Sequence, residues 1–321
     1  MNKINKNTYW LSSFVLAIFA LAGCNQQNET KTSEPANAEA KAEVQQKIVK
    51  KEDKKALTNE SSSQSIEDVL AKQPEKVQAR YSARHPKETL EFFEIQPGQT
   101  VVEALPGGGW YTKLILPVLG SDGQVIGADY AADMYPKFGF FSAEDIEKKK
   151  TWVDSWIEQA NTWRAENDAS ISAFQFGSMP EAMKGSADRV LFIRALHNLA
   201  RFESDGEFLT KALTDTFNVL KSGGMVGVVQ HKAPEEASDD WANGSNGYLK
   251  ASFVKAKMAE VGFEFVGESD ININPKDQPT EKDFVWRLPP TFASSRDNPE
   301  LKTQYEAIGE SSRMTLKFKK P

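Results

Sequence analysis

Five apolar runs of strand length constrain this chain more than any other feature: TVVEAL (100–105), QVIGAD (124–129), ISAFQF (171–176), DRVLFIRA (188–195) and GMVGVVQ (224–230). They are continuously apolar rather than alternating, the pattern of strands buried on both faces of a parallel sheet. Helical stripes fall between them. Trp152, Val153, Trp156, Ile157, Ala160 and Trp163 form one, for which Ser142 is the expected N-cap. Phe208, Leu209, Ala212, Leu213, Phe217 and Leu220 form another, expected to stop at Gly223-Gly224. A third runs from Tyr248 to Val261 and ends at Gly262. Strands joined by helices need right-handed crossovers, so the spacing predicts an α/β fold, a doubly wound, Rossmann-like sheet.

The C-terminal part breaks this rhythm. FEFVGESD (263–270) and RMTLKFKK (313–320) read as strands with no apolar helical stripe between them. The intervening DFVWRLPPTF (283–292) cannot be a regular helix or central strand, because of Pro289-Pro290. Its aromatic content predicts a packed flap.

Doubly wound sheets bind ligands outside the carboxyl ends of their strands. The first strand leaves through VVEALPGGGWYT (101–112), where Gly107, Gly108 and Gly109 remove Cβ atoms from a loop that must turn and approach a ligand. A following helix from about Trp110 to Val118 would aim its positive end into the same space. Asp129 ends the second strand about 20 residues beyond the glycines, the offset of an acid that binds ribose hydroxyls, although it could also cap the turn that follows. Gly107 and Gly109 fit the first two positions of the nicotinamide fingerprint G-x-G-x-x-G, but Thr112 fills the third. Glu103 argues against a pyrophosphate and for a ligand bearing a cation, such as the ammonium of an amino acid. That combination is the one expected for S-adenosylmethionine.

These residues resemble those of class I S-adenosylmethionine-dependent methyltransferases, and more narrowly a family of bacterial proteins carrying PGGGWYT. The resemblance rests on RHPKETLEFFEIQPGQTVVEALPGGGWYT (84–112), VLFIRALHNL (190–199), VLKSGGMVGVV (219–229) and VWRLPPTF (285–292), and covers most of residues 76–320. It implies a seven-stranded sheet with an antiparallel last strand and S-adenosylmethionine as cofactor. The family pattern has glycine where this chain has Leu105, and often an acid near Ser178, the adenine-side candidate here. His197, Asn198 and Arg194 occupy the region where such enzymes often place catalytic or substrate-orienting groups. A neutral His197 could take a proton from the methyl acceptor, or simply hold loop carbonyls. His231 and His85, the other two histidines, invite the same alternatives.

The first 23 residues carry Lys3 and Lys6, an apolar block from Trp10 to Ala22, and the ending LAGC. About 13 apolar-dominated residues make an export signal rather than a bilayer span. LAGC resembles a bacterial lipobox, which implies cleavage before Cys24 and a lipid on that cysteine. Asn25, in place of an aspartate, implies an outer-membrane location facing the periplasm. Loss of Lys3 and Lys6 takes the formal charge from −6 to −8. Residues 24–65, polar and without aromatic residues, are expected to form a disordered tether, with the folded domain spanning residues 66–321.

Cys24 is the sole cysteine, so no intramolecular disulfide can form. There is no basic excess for nucleic acid, no Cys/His cluster for a metal, and no GxSxG or GxxxxGKS motif. Two readings remain: a lipid-anchored methyltransferase of unidentified acceptor, or a non-catalytic ligand-binding lipoprotein on the same scaffold. Retention of both Glu103 and Asp129 favours the first.

Overall fold

The computed structural model describes residues 63–321; the expected export signal, Cys24 and nearly all of the expected tether lie outside the described residues. Four helices precede the sheet: α1 (Ile66–Ala71), α2 (Glu75–Gln78), α3 (Tyr81–Arg84) and α4 (Pro86–Phe92). Ser65 caps α1, its hydroxyl accepting the Asp68 N–H at 3.1 Å. β1 (Thr100–Ala104) leads through the glycine loop into α5 (Thr112–Leu119), and β2 (Gln124–Asp129) follows. Next come α6 (Ala143–Lys149), α7 (Trp152–Asn161), β3 (Ser170–Gln175) and β4 (Ala187–Ile193). α8 (Leu196–Arg201), α9 (Glu203–Gly206) and α10 (Phe208–Val219) then run into β5 (Leu220–His231). The chain continues through α11 (Ala251–Val261), β6 (Glu264–Ser269), α12 (Pro299–Ile308) and β7 (Arg313–Lys319).

The strands form one seven-stranded sheet in the order β3-β2-β1-β4-β5-β7-β6. β1 to β5 pair in parallel, whereas β7 inserts antiparallel between β5 and β6. The doubly wound fold with a reversed final strand is therefore present. Its strands are apolar throughout because both faces are covered. Val101, Val125, Leu191 and Val229 pack with Leu114, Ile115 and Trp156 on one face. Val102, Ile126, Val190 and Val228 pack with Leu196, Leu213 and Val254 on the other. Each such side chain contributes about 1.5–3 kcal/mol on burial, so a register slip of one residue would exchange two full core layers.

Three local expectations change. Ser142 caps α6, a separate short helix, and α7 begins afresh at Trp152. α10 gives way to β5 at Leu220, with Gly223-Gly224 inside the strand. α12 lies between β6 and β7 unforeseen, because none of its residues is buried and no apolar stripe marks it. The flap is packed, as its aromatic residues suggested. Arg287 is buried beneath it, with Nη2 3.0 Å from Asp277, Nε 2.9 Å from Asp283 and Nη1 donating to the Tyr248 hydroxyl at 3.0 Å.

The chain moves from β1 outward to β2 and β3, then crosses back to β4 on the other side of β1. The loops after β1 and β4 therefore diverge, and a crevice opens between them. Among the described residues, no helix is long and apolar enough to cross a membrane.

Candidate functional site: two cavities on one loop

The loop after β1 forms the wall between two cavities. Leu105 and Gly107 line both of them. Gly107 has φ +53°, a backbone conformation that glycine adopts without strain. A Cβ on Gly108 would meet nothing within 4 Å, and Gly108 lines only the first cavity. Gly109 has another purpose. A Cβ there would lie 2.1 Å from the Trp163 ring, so this glycine lets Trp163 pack on the loop and lines neither cavity.

Glu103 also departs from its expected role. Its carboxyl accepts a hydrogen bond from the Thr112 hydroxyl at 2.5 Å, tying the end of β1 to the start of α5. Burial, partly offset by that bond, pushes its pKa up to about 8. It lines neither cavity, so the expectation that it receives a ligand's ammonium is corrected: it braces the glycine loop from beneath. Ser178 is corrected too. β3 ends at Gln175, buried Phe176 turns the chain, and Ser178 is left exposed outside both cavities.

The second cavity, of about 720 Å³, has Tyr130, Tyr135, Phe141, Trp152 and Trp156 in its walls, with Lys149, Glu158 and Gln159 among its polar residues. Asp129 lies there, buried, with its Oδ2 accepting from the Tyr135 hydroxyl. Burial raises its pKa despite that hydrogen bond. The Trp152–Trp156 stripe, read from sequence as core, thus also lines a ligand space. An acid at the end of β2 beside flat aromatic walls suits a nucleoside, with ribose at Asp129 and the base among the rings.

The first cavity, of about 670 Å³, is basic. Arg194, directly after β4, and His197 and Asn198 on α8 all line it, so these three are brought together. Arg194 has φ +59°, which costs an L-residue roughly 1–2 kcal/mol. Asn198 donates to the Tyr130 hydroxyl at 2.7 Å, joining the two cavities through a hydrogen bond. His197 is buried, with Nδ1 3.3 Å from Gln230 Oε1. Gln230 donates through Nε2 to the Gly247 carbonyl at 2.8 Å, which turns its oxygen toward His197. His197 Nδ1 is then the donor, and Nε2 keeps the lone pair. Burial brings the His197 pKa down to about 4; the Gln230 bond opposes this, while Arg194 and Arg201 reinforce it. The imidazole is neutral at pH 7.

His231 lies 5.5 Å from His197, ring to ring, and its Nδ1 is 2.6 Å from the Ser311 hydroxyl. Burial, with the nearby His197 and Arg194, holds its pKa well below the usual value. His85 belongs elsewhere, facing the opposite side of Glu310 with Asn272 and Asn274.

The basic residues were missed in the sequence. Lys76, Arg80 and Arg84 come from the chain before β1 and line the cavity with Arg194; the three arginines surround Glu310. Arg80 donates to Glu310 Oε1 through Nε at 2.9 Å, Arg84 Nε approaches at 3.4 Å, and Arg313 Nη1 reaches Oε2 at 3.4 Å. Burial opposes ionisation of Glu310, but Arg84, Arg313 and Arg80 outweigh it and hold its pKa below the usual value. Burial, then the charge of Arg194, lowers the pKa of Arg84 to about 10. The available signal was RYSAR, which places Arg80 and Arg84 four residues apart just ahead of the first strand. Among the described residues, no His, Cys, Asp and Glu group is placed to hold a metal ion.

No family model matches the chain. Among curated proteins it is similar to the arsenite methyltransferase of Halobacterium salinarum, 27% identical over 203 residues, which is 61% of this chain and 44% of that protein. The chain thus spans less than half the length of this relative. Among solved structures it is similar to a SAM-dependent methyltransferase from Aquifex aeolicus, with a TM-score of 0.43 and 14% identity over 65% of this chain and 94% of that one. It is also similar to geranyl diphosphate C-methyltransferase from Streptomyces coelicolor, with a TM-score of 0.48 and 13% identity over 81% of this chain and 91% of that one.

Proposed function

We propose that the protein is a methyltransferase that uses S-adenosylmethionine, carried in the cell envelope by a lipid on Cys24. The observation that supports it most is the shared wall: one loop, Leu105 to Gly107, bounds both the nucleoside-like cavity of Asp129 and the basic cavity of His197. A cofactor spanning that wall has its nucleoside on one side and its reactive end facing the other. Similarity to a curated methyltransferase supports the same reading.

The residues fit the cofactor. Asp129 would bind the ribose hydroxyls, Trp152, Trp156 and Tyr130 would flank the base, and Gly107 and Gly108 would admit the amino-acid part without a side chain in the way. When bound, the cofactor supplies an electrophilic methyl group on a sulfonium sulfur. His197 Nε2 receives the proton that the acceptor gives up, and Gln230 holds the ring in the tautomer this requires. The flap residues Val285, Trp286, Pro289 and Pro290 line one side of the basic cavity.

The curated relative is named for arsenite; trivalent arsenic is soft and favours thiolates, and among the described residues no cysteine lines the basic cavity. A neutral imidazole as proton acceptor suits an oxygen or nitrogen nucleophile.

Calorimetry with S-adenosylhomocysteine on the full chain tests the assignment. Binding is expected, and Asp129→Asn should weaken it by roughly tenfold to over a hundredfold through loss of a charge-assisted hydrogen bond. If the folded parent ignores both S-adenosylmethionine and S-adenosylhomocysteine at millimolar concentration, the binding-scaffold reading replaces the enzyme. Labelled palmitate should enter the wild type and not Cys24→Ala; an unlabelled wild type would refute the lipid anchor.

A further inference from the structure

The basic cavity has a charge that the cofactor cannot balance. Lys76, Arg80, Arg84 and Arg194 line it, and among the described residues Glu310 is its sole carboxylate. Glu310 is already committed to Arg80, to Arg84 through its Nε and, from behind, to Arg313. Four lining cations thus share one carboxylate, and a net positive charge faces the space. The terminal nitrogens of Arg84 have no protein partner among the described residues; its Nε alone reaches Glu310. Its guanidinium is held 4.6 Å above the Trp110 ring, which fixes its plane. Arg194 Nη1 stands 4.0 Å from Glu310, beyond hydrogen-bond length, and Lys76 lies at the exposed rim. Two guanidiniums with free forks, one on a strained backbone, form a pre-organised anion receptor.

The methionine end of the cofactor is a zwitterion, and its sulfonium adds a positive charge. Loading it would make the cavity more positive, not less. A second, anionic molecule would restore the balance. We propose, building on the methyltransferase reading, that the acceptor is a small molecule with a phosphate or carboxylate group held by Arg84, Arg194 and Lys76. The anionic group lies beside Glu310, and the nucleophilic atom lies toward His197 beneath Trp286, whose ring centre is 5.8 Å from that of His197. Methyl transfer forms the bond from the acceptor atom to the methyl carbon and breaks the one from carbon to sulfur. The sulfonium becomes a neutral thioether, and the acceptor's proton passes to His197. The cationic wall also lowers the pKa of a nearby acceptor group, which lets so weak a base as His197 take that proton.

The test is calorimetry on the full chain, free and saturated with S-adenosylhomocysteine, using inorganic phosphate and succinate as separate probes. At least one probe should bind the loaded wild type, and the better one identifies the anionic group as phosphate or carboxylate. Arg194→Gln should weaken that probe by roughly tenfold or more, with S-adenosylhomocysteine affinity held within about threefold. Arg194→Lys, which keeps the charge, should fall between them. Arg194 is partly exposed, and a melting curve checks that the variant folds; Arg84→Gln serves as the second variant. If neither probe binds a chain that does bind S-adenosylhomocysteine, the proposal is overturned and the methyltransferase reading survives. If the arginine variants lose S-adenosylhomocysteine but keep 5′-methylthioadenosine, the arginines grip the cofactor's own carboxylate and the proposal falls. If a probe binds while no adenosyl ligand does, the methyltransferase reading fails and the acceptor role with it.

Discussion

The aromatic cavity and the basic cavity meet at Leu105 and Gly107 but are assembled differently. The aromatic one takes its walls from the loop after β1 and from residues 129–162, a nearly continuous stretch of chain. The basic one gathers residues 76–84, the same loop, residues 193–198, His231, the flap, and Glu310 with Ser311. The first is built by neighbours in sequence, and the second by distant segments that the sheet's reversal brings together. The local cavity needs only one stretch of chain and its neighbouring loop, whereas the dispersed one exists only once the whole sheet is assembled.

Replacing the shared wall should break both cavities at once. In Gly107→Val, a β-branched residue must adopt φ near +53°, at a cost of about 1–3 kcal/mol, and its side chain intrudes where the two spaces meet. Binding of S-adenosylhomocysteine should fall by more than roughly a hundredfold, and the anion probe should weaken with it. Calorimetry with each ligand separately decides the matter. Loss of one alone would mean that the cavities are independent sites.

The same contrast explains what the sequence revealed. Continuous apolar strands such as TVVEAL and QVIGAD identified a doubly wound sheet, because burial on both faces leaves a signature in each strand by itself. Gly107, Gly108 and Asp129 were legible because a loop and a strand end carry their chemistry at fixed offsets. Glu103 misled: a carboxylate closing a buried strand suggested a ligand's cation, whereas the partner is Thr112, nine residues on. Arg80 and Arg84 drew no reading from the sequence, since nothing local shows that Glu310, more than 200 residues away, will face them. Exposed α12 left no stripe for the same reason, burial being what writes a pattern into a helix.

Glu103→Gln probes the brace beneath the wall. The carboxyl keeps its proton to about pH 8 in the folded protein but loses it near 4.5 when unfolded. The folded state therefore binds more protons across that window, and stability, complete below pH 4.5, is lost as pH rises through about 8. Glutamine cannot ionise yet can still accept from Thr112. Urea melts at pH 8.5 should find the variant more stable than wild type by up to about 5 kcal/mol, since each tenfold difference in proton affinity between the two states is worth about 1.4 kcal/mol. Near pH 4.5 the advantage should vanish. A difference that did not change with pH would show that Glu103 is ionised in the folded protein, and would reopen its role as partner of a ligand's cation.

The smallest effect, and the most informative about the wall itself, is expected of Leu105→Gly. Leu105 holds φ +55°, its N–H donates to the Ala128 carbonyl at 2.7 Å, and its side chain stands between the cavities against the core. Glycine would relieve roughly 1–2 kcal/mol of strain. It would also raise the chain's unfolded entropy, at about 0.5–1 kcal/mol, and give up part of a packed side chain. These nearly cancel, so the melting temperature should move by no more than a few degrees. The opening between the cavities widens, however, and an adenosyl ligand that crosses it meets less side chain. Affinity for S-adenosylhomocysteine should rise about three- to tenfold, with the anion probe unchanged, because Arg84 and Arg194 do not move. A fall in affinity would show that the leucine is a contact surface for the ligand rather than an obstruction. The wall would then be part of what the aromatic cavity recognises.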